Sequence, residues 1–513
     1  MQSMKKILNL MFHRVVLIGA AIAVQVAALI IMIERFSSYF SLFYAVTAAA
    51  SIGAVLAIAG GRGNSGYKIA WIILIMAFPI FGGLFYLMFG GSRMGSYLRK
   101  RMDSLHRQQI AALRPNRELL QELEQENPDA ARQAHYIQHY AYSPPYKNTY
   151  TRYFPLGEDK FAALVEALRG ARRYIFLEYF IIEEGIMWDT ILGILKDKAA
   201  SGVDVRVIYD DVGSIMTLPY RYDRKLEAMG IKCCRFNPFI PVLSARLNNR
   251  DHRKIAVIDG HTAFTGGINL ADEYINAYEK HGHWKDTAVL IQGPAAWSLA
   301  VMFLTMWNYL RGASENLEQF KPEELPPIPP ADGFVQPFSD NPLDENAVSE
   351  AVYLNMIGRA KRYVYITTPY LILDSAMQTA LCTAAQSGVD VRIITPHIPD
   401  KWYVHAVTRS YYPVLIESGV KVYEYTPGFM HSKSFVVDDL YGVVGTINLD
   451  YRSLYQHFEC GVWLYNTESV IQIRDDFLQT LEKCQEFDLD SYLKRDVLRR
   501  AGTALLRLFA PLM

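Results

Sequence analysis

The chain opens on three stretches in which apolar residues follow one another almost unbroken: Val15 to Ile33, Tyr39 to Ala59 and Ile69 to Phe89. Each holds about 20 residues, which at 1.5 Å per residue gives a helix of about 30 Å, the thickness of a bilayer's hydrocarbon core. The pattern therefore predicts a transmembrane region over 1–92 with about three apolar helices. A cleaved signal peptide would suit Lys5, Lys6 and Arg14, but the first run is long and continues into Glu34 and Arg35 without a small-residue cleavage site. Buried helices of a soluble domain would need charged faces that these runs lack. The flanking charges conflict over orientation. Lys5, Lys6 and Arg14, and then Arg62 and Lys68, put the N-terminus and the second loop inside, yet Arg93, Arg99, Lys100 and Arg101 put the segment after the third run inside as well. The expected localisation is the cell membrane, multi-pass, with the side of the catalytic body open.

After the third run the pattern changes. Residues 93–140 are polar with periodic leucines and predict a helical connector. Short β-branched runs then alternate with helical stretches, and the chain writes one pattern twice. ARRYIFLEYFII from Ala171 returns as AKRYVYITTPYLI from Ala360, SGVDVRVI from Ser201 as SGVDVRII from Ser387, and LEAMGIKCCRFNP from Leu226 as LIESGVKVYEYTP from Leu415. An offset held through several segments is an internal duplication. Each copy follows βαβ grammar, so the fold class is α/β, with two duplicated halves at 141–313 and 346–490 forming one catalytic body. Between them Pro322, Pro326, Pro327, Pro329 and Pro330 mark a linker over 314–345. A basic amphipathic tail, 491–513, suits either a membrane surface or a packed terminal helix.

Composition narrows the classes. The 513 residues, 51% apolar and 20% charged, suit two or three folded domains rather than disorder. The 52 basic and 52 acidic residues are unevenly spread: residues 1–100 hold nine Lys/Arg and one acid, leaving 43 against 51 in the remainder. An acidic body disfavours nucleic acid as a partner. The five cysteines show no zinc-like spacing, and His281 and His283 lack a completing set, so neither a metal nor a cofactor is expected.

The chemistry lies in a motif present in both copies. His252, Lys254, Asp259, Gly266 and Asn269 recur in the same order and spacing as His431, Lys433, Asp438, Gly445 and Asn448. Histidine and lysine two apart on a strand share a face. A neutral imidazole is a competent nucleophile toward phosphorus, and lysine and asparagine can donate to the oxygens on which charge builds. Two such sets facing each other supply a nucleophile and a general acid. The candidate catalytic set is His252, Lys254, Asp259, His431, Lys433 and Asp438, although the two aspartates suit hairpin turns and are not read as bases.

These paired motifs, with LNNRDHRK, GGINLADEY, HWKDTAV, GTINLDYRSLYQHFE and YKIAWIILIMAFPIFGGLFYLMFG, resemble the phospholipase D superfamily and, within it, the bacterial cardiolipin synthases. The resemblance implies a membrane phosphatidyltransferase that condenses two phosphatidylglycerol molecules into cardiolipin and glycerol without a cofactor. His252 would be the nucleophile and His431 the acid/base, an order the sequence leaves open. Lys254, Lys433, Asn269 and Asn448 would hold phosphate oxygens, and Glu459 and Asp286 would orient histidines. Lys285 stands where arginine is expected, and Gly267 and Thr446 where serine is common. The competing readings are a phospholipid hydrolase, a transferase using another acceptor such as phosphatidylethanolamine, a nuclease and a non-catalytic membrane scaffold. Oligomeric state is not legible.

Overall fold

The computed structural model describes residues 40–61, 64–78, 107–238, 249–342, 346–493 and 497–512, with isolated positions between 23 and 35 and at 82, 83 and 86. Among these residues, eight strands form in the first half: β1 (Tyr150–Phe154), β2 (Tyr174–Tyr179), β3 (Asp204–Asp210), β4 (Lys232–Phe236), β5 (Lys254–Ile258), β6 (Thr262–Gly266), β7 (His283–Lys285) and β8 (Ala288–Gln292). Nine follow: β9 (Phe334–Asp340), β10 (Tyr363–Thr367), β11 (Asp390–Pro396), β12 (Lys421–Tyr425), β13 (Gly428–Met430), β14 (Ser434–Val437), β15 (Tyr441–Gly445), β16 (Glu459–Tyr465) and β17 (Cys484–Glu486).

The first sheet runs β1-β8-β6-β5-β2-β3-β4 and the second β17-β12-β11-β10-β14-β15-β16-β9. Read from β9 inward, the second repeats the first strand for strand and adds β17 at its edge. In each, three parallel strands (β2–β4, β10–β12) meet an antiparallel hairpin (β5–β6, β14–β15). The repeated Ser-Gly-Val-Asp has a local cause. Gly202 and Gly388, at φ 91° and 93°, end the helices Ile186–Ala200 and Ser375–Gln386 in a left-handed turn that side chains resist, and the chain enters β3 and β11 two residues later.

Helices cover both faces. Ala296–Arg311, almost wholly buried, and Glu468–Leu481 lie between the sheets and share one core that draws on both halves. Separate cores under Gly157–Gly170 and Ile186–Ala200, and under Val348–Arg359 and Trp402–Glu417, close the outer faces. β9 falls inside the expected linker and belongs to the second sheet: Pro322, Pro326, Pro327, Pro329 and Pro330 precede the strand, and Pro337 pairs with Val462 at the sheet's edge. The tail helix Val497–Leu508 packs on the second half, where Arg507 reaches the Ser410 carbonyl at 3.1 Å and covers the Tyr411 ring.

The front end corrects the sequence reading. Among the described residues no helix is long and apolar enough to cross a membrane, which overturns the three-span region and the multi-pass localisation. The first apolar run lies largely outside the described residues. The third is helical over Ser65–Ala77, 13 residues or about 20 Å. It stops at Phe78, whose φ of −131° is non-helical before Pro79. The second forms one helix, Phe40–Gly60, and packs Ala54 and Ile58 against Trp71 and Ile75 of its neighbour. Asn64 pins this hairpin to the second half through the Asp374 carboxylate and the Tyr455 hydroxyl, both at 2.9 Å.

Candidate active site

Both motifs enter the fold at the same kind of place. Tyr179 pairs with Lys254 and Thr367 with Ser434, so each histidine stands just ahead of its hairpin, beside the C-terminal ends of the parallel strands. The segments carrying the histidines then cross to the opposite half. The His252 N–H donates to the Phe458 carbonyl at 2.9 Å and the His431 N–H to the Lys285 carbonyl at 2.7 Å. β7 and β13 extend the second contact into a small parallel ladder.

Phe458 and Lys285 each precede an orienting carboxylate, so the crossing fixes the side chains too. His252 Nδ1 lies 2.9 and 3.1 Å from the Glu459 oxygens, and His431 Nδ1 lies 2.6 Å from Asp286 Oδ2. Each histidine is held by the other half, through contacts spanning 207 and 145 residues of sequence. With Nδ1–H donated to a carboxylate, Nε2 carries the lone pair.

The two carboxylates are set differently. Glu459 accepts from Ser453 Oγ at 2.7 Å and from the Thr446 hydroxyl. Asp286 accepts from the Thr287 N–H at 2.8 Å and lies over Gly267, where an added Cβ would stand 2.0 Å from Asp286 Oδ1. The two departures noted in sequence thus have tasks: the Thr446 hydroxyl supports one carboxylate, and the bare Gly267 makes room for the other. Lys285 forms an ion pair with Asp476 at 2.7 Å, on the inner helix of the second half.

Burial dominates the electrostatics of the site, and the neighbouring cations add to it. Burial, reinforced by Lys254, Lys433 and His431, holds His252 well below the ordinary imidazole range. Burial and Lys433 bring His431 down to about 4, with Asp286 acting in the opposite sense. Burial lowers Lys254 to about 8 and Lys433 to about 7, and raises Glu459 to about 7. The lysine ammoniums rest on the carbonyls of their own motif histidines, Lys254 on that of His252 at 2.5 Å and Lys433 on that of His431. A bound phosphodiester would add negative charge beside these lysines and favour their protonated forms.

The other expected residues separate. Asp259 accepts from the N–H groups of Arg172, Arg173 and Tyr174, and Asp438 from those of Lys361, Arg362 and Tyr363. Both sit in left-handed turns at the far ends of β5 and β14, about 20 Å of strand from the histidines. Their inclusion in the catalytic set is corrected: they clamp the hairpin to the neighbouring strand. Asn269 spends its oxygen on the Ile181 N–H and one N–H on the Tyr274 hydroxyl, whereas the Asn448 oxygen is buried without a partner among the described residues.

His457 was missed. Its ring lies 5.7 Å from that of His252, and both its nitrogens are buried without a hydrogen-bond partner among the described residues. The available signal was its position two residues before Glu459. Among the described residues, His252, His457 and Glu459 bring three potential metal-ligand atoms within 4.8 Å of one another. The carboxylate there is already engaged by His252, Ser453 and Thr446.

Comparison with known proteins agrees with this architecture. A family model described as "Cardiolipin synthase, PLD-like domain" matches residues 164–307 and 353–481, and one described as "Phospholipase_D-nuclease N-terminal" matches 49–91. An uncharacterized protein of Streptococcus mutans is 43% identical, covering 90% of this chain and 100% of its own. A cardiolipin synthase of Geobacillus kaustophilus is 34% identical over 96% of this chain and 99% of its own. In fold, the chain is similar to the crystal structure of phosphatidylserine synthase from Haemophilus influenzae, with a TM-score of 0.56 and 16% identity over 74% of this chain and 98% of that one. With both halves matched and both motifs gathered into one site, the chain belongs to the phospholipase D superfamily, as an enzyme that acts on phospholipids by phosphatidyl transfer or hydrolysis and is related to the bacterial cardiolipin synthases.

Proposed function

We propose that the enzyme joins two phosphatidylglycerol molecules into cardiolipin and releases glycerol, through a phosphatidyl-histidine intermediate. The observation that carries this reading is the crossed pair of histidine–carboxylate contacts, which gives one buried site two imidazoles with fixed tautomers. The substrate comes from the relatives named cardiolipin synthase. His252 Nε2 attacks the phosphorus of the first lipid, and the P–O bond to its glycerol headgroup breaks. With the phosphodiester anion bound, His431 carries a second proton on Nε2 and gives it to the departing glycerol oxygen. The neutral His431 then takes the proton of a headgroup hydroxyl on a second phosphatidylglycerol, whose oxygen displaces the histidine from phosphorus. Lys254 and Lys433 carry the negative charge that builds on the phosphate oxygens.

The surroundings favour this order. Asp286 draws His431 toward the protonated state through a 2.6 Å bond, whereas His252 faces a carboxylate that burial has raised to about 7. The first imidazole suits an acid and the second a neutral nucleophile.

The test is to incubate purified full-length protein with labelled phosphatidylglycerol alone and resolve the products by mass spectrometry. Cardiolipin and glycerol in equal amounts are expected. Phosphatidic acid without cardiolipin would make water the acceptor and overturn the transferase reading.

A further inference from the structure

The C-terminal ends of β2, β3 and β10–β12 face the side on which the motif strands begin, so the loops that follow them leave the sheets at the end where the two histidines stand. Among the described residues of 107–493, five large apolar side chains are more than 60% exposed: Ile186 61%, Met216 66%, Tyr220 63%, Tyr278 61% and Trp402 71%. Ile186 and Trp402 begin the helices that follow β2 and β11, Met216 and Tyr220 lie in the loop after β3, and Tyr278 lies in the β6–β7 connection, which leaves the sheet at the same end, although a globular surface normally scatters such residues. Ordered backbone displays them. The Ile186 N–H donates to Asp272 at 2.9 Å, the Thr217 hydroxyl to the Ile182 carbonyl at 2.6 Å, and the Tyr370 hydroxyl to Asp400 at 2.6 Å.

We propose that this end of the body docks on a lipid bilayer, with Ile186, Met216, Tyr220, Tyr278 and Trp402 inserting among the headgroups around the mouth of the site. The inference rests on the phospholipid reading of that site and adds how its substrate is reached. A two-chain phospholipid leaves a bilayer only by exposing many CH2 groups to water, so a site that reacts two of them is served best by standing against the leaflet. Tyrosine and tryptophan suit that boundary because they pair an apolar ring with a polar edge. Charge plays a small part: Glu184 is paired with Lys225, Glu273 with Lys280 and Asp400 with Lys401. Docking by insertion depends weakly on salt, unlike attraction of a basic surface to anionic lipid.

The test uses the full chain and vesicles of phosphatidylcholine and phosphatidylglycerol whose acyl chains are brominated near the headgroup. The difference in fluorescence between the wild type and Trp402→Phe isolates Trp402. Its emission should fall by at least half on these vesicles, with little change between about 0.05 and 0.5 M salt. The variant Met216→Ser/Tyr220→Ser/Trp402→Ser should lose turnover on vesicles by on the order of tenfold or more while retaining it on a water-soluble short-chain phosphatidylglycerol. An unquenched Trp402 would overturn the proposal. So would equal loss on both substrates, or a fall in oligomeric mass of the triple variant without lipid, which would make this face a contact between copies. If water proves to be the acceptor, quenching of Trp402 is unaffected, so the two readings fail separately.

Discussion

A single methyl group at Gly267 should disable a histidine in the other half of the chain. The added Cβ would stand 2.0 Å from Asp286 Oδ1, and ordinary contact begins at 3.4 Å, so the carboxylate must retreat by ~1.4 Å. The bond from His431 to Asp286 is 2.6 Å, and such a retreat takes it beyond the limit of about 3.2 Å. A hydrogen bond to a charged partner contributes about 1.5–3 kcal/mol, so Gly267→Ala should lower kcat about 10- to 150-fold. Because His431 resolves the intermediate, phosphatidyl adduct on His252 should accumulate as turnover falls. The assay is single-turnover kinetics with labelled phosphatidylglycerol, adduct being quantified by intact-protein mass spectrometry, with a thermal melt to establish that the variant folds. A double-mutant cycle closes the argument: in an Asp286→Ala background the methyl should have no further effect. A folded Gly267→Ala enzyme with kcat within twofold of wild type, or additive losses in the cycle, would refute the coupling.

Four further outcomes follow from the same geometry. His252→Ala should abolish the adduct, and His431→Ala should trap it; normal turnover by either variant would remove that residue from the assigned role. Lys433, held down to about 7 by burial, loses its proton as pH rises through that value. The free-enzyme profile of kcat/KM should therefore fall above about pH 7, while kcat holds to higher pH because bound phosphodiester restores the charge; a kcat/KM flat to about pH 9 would contradict this. Asp259→Ala leaves three backbone N–H groups without their acceptor and should cost about 3 kcal/mol or more in stability, seen as a lower Tm, with kcat per folded molecule unchanged. His457→Phe removes two unpartnered ring nitrogens beside the nucleophile and should raise KM about 2- to 12-fold with kcat little altered, and an unchanged KM would exclude a substrate contact.

What the amino-acid order determined by itself is what local chemistry controls. The repeated Gly-Val-Asp-Val-Arg marks a helix end and a strand start in each copy, and the period of two carries His-x-Lys along the entry to β5 and β14, so the α/β duplication and the paired motif are visible without coordinates. Tertiary structure decided which groups meet. The partners of His252 and His431 lie 207 and 145 residues away, and no local pattern says that each histidine takes its carboxylate from the opposite half. Asp259 and Asp438 share the motif's spacing with the histidines, yet seven residues of extended strand carry them to the far end of the sheet. The apolar front is the reverse case. Counting hydrophobic residues measures what a segment prefers to bury but not where its helix stops or what it packs against. The break at Phe78 and the pairing of Ala54 and Ile58 with Trp71 and Ile75 emerge only when the segments are placed together, because packing depends on neighbours in space and hydropathy on neighbours in the chain.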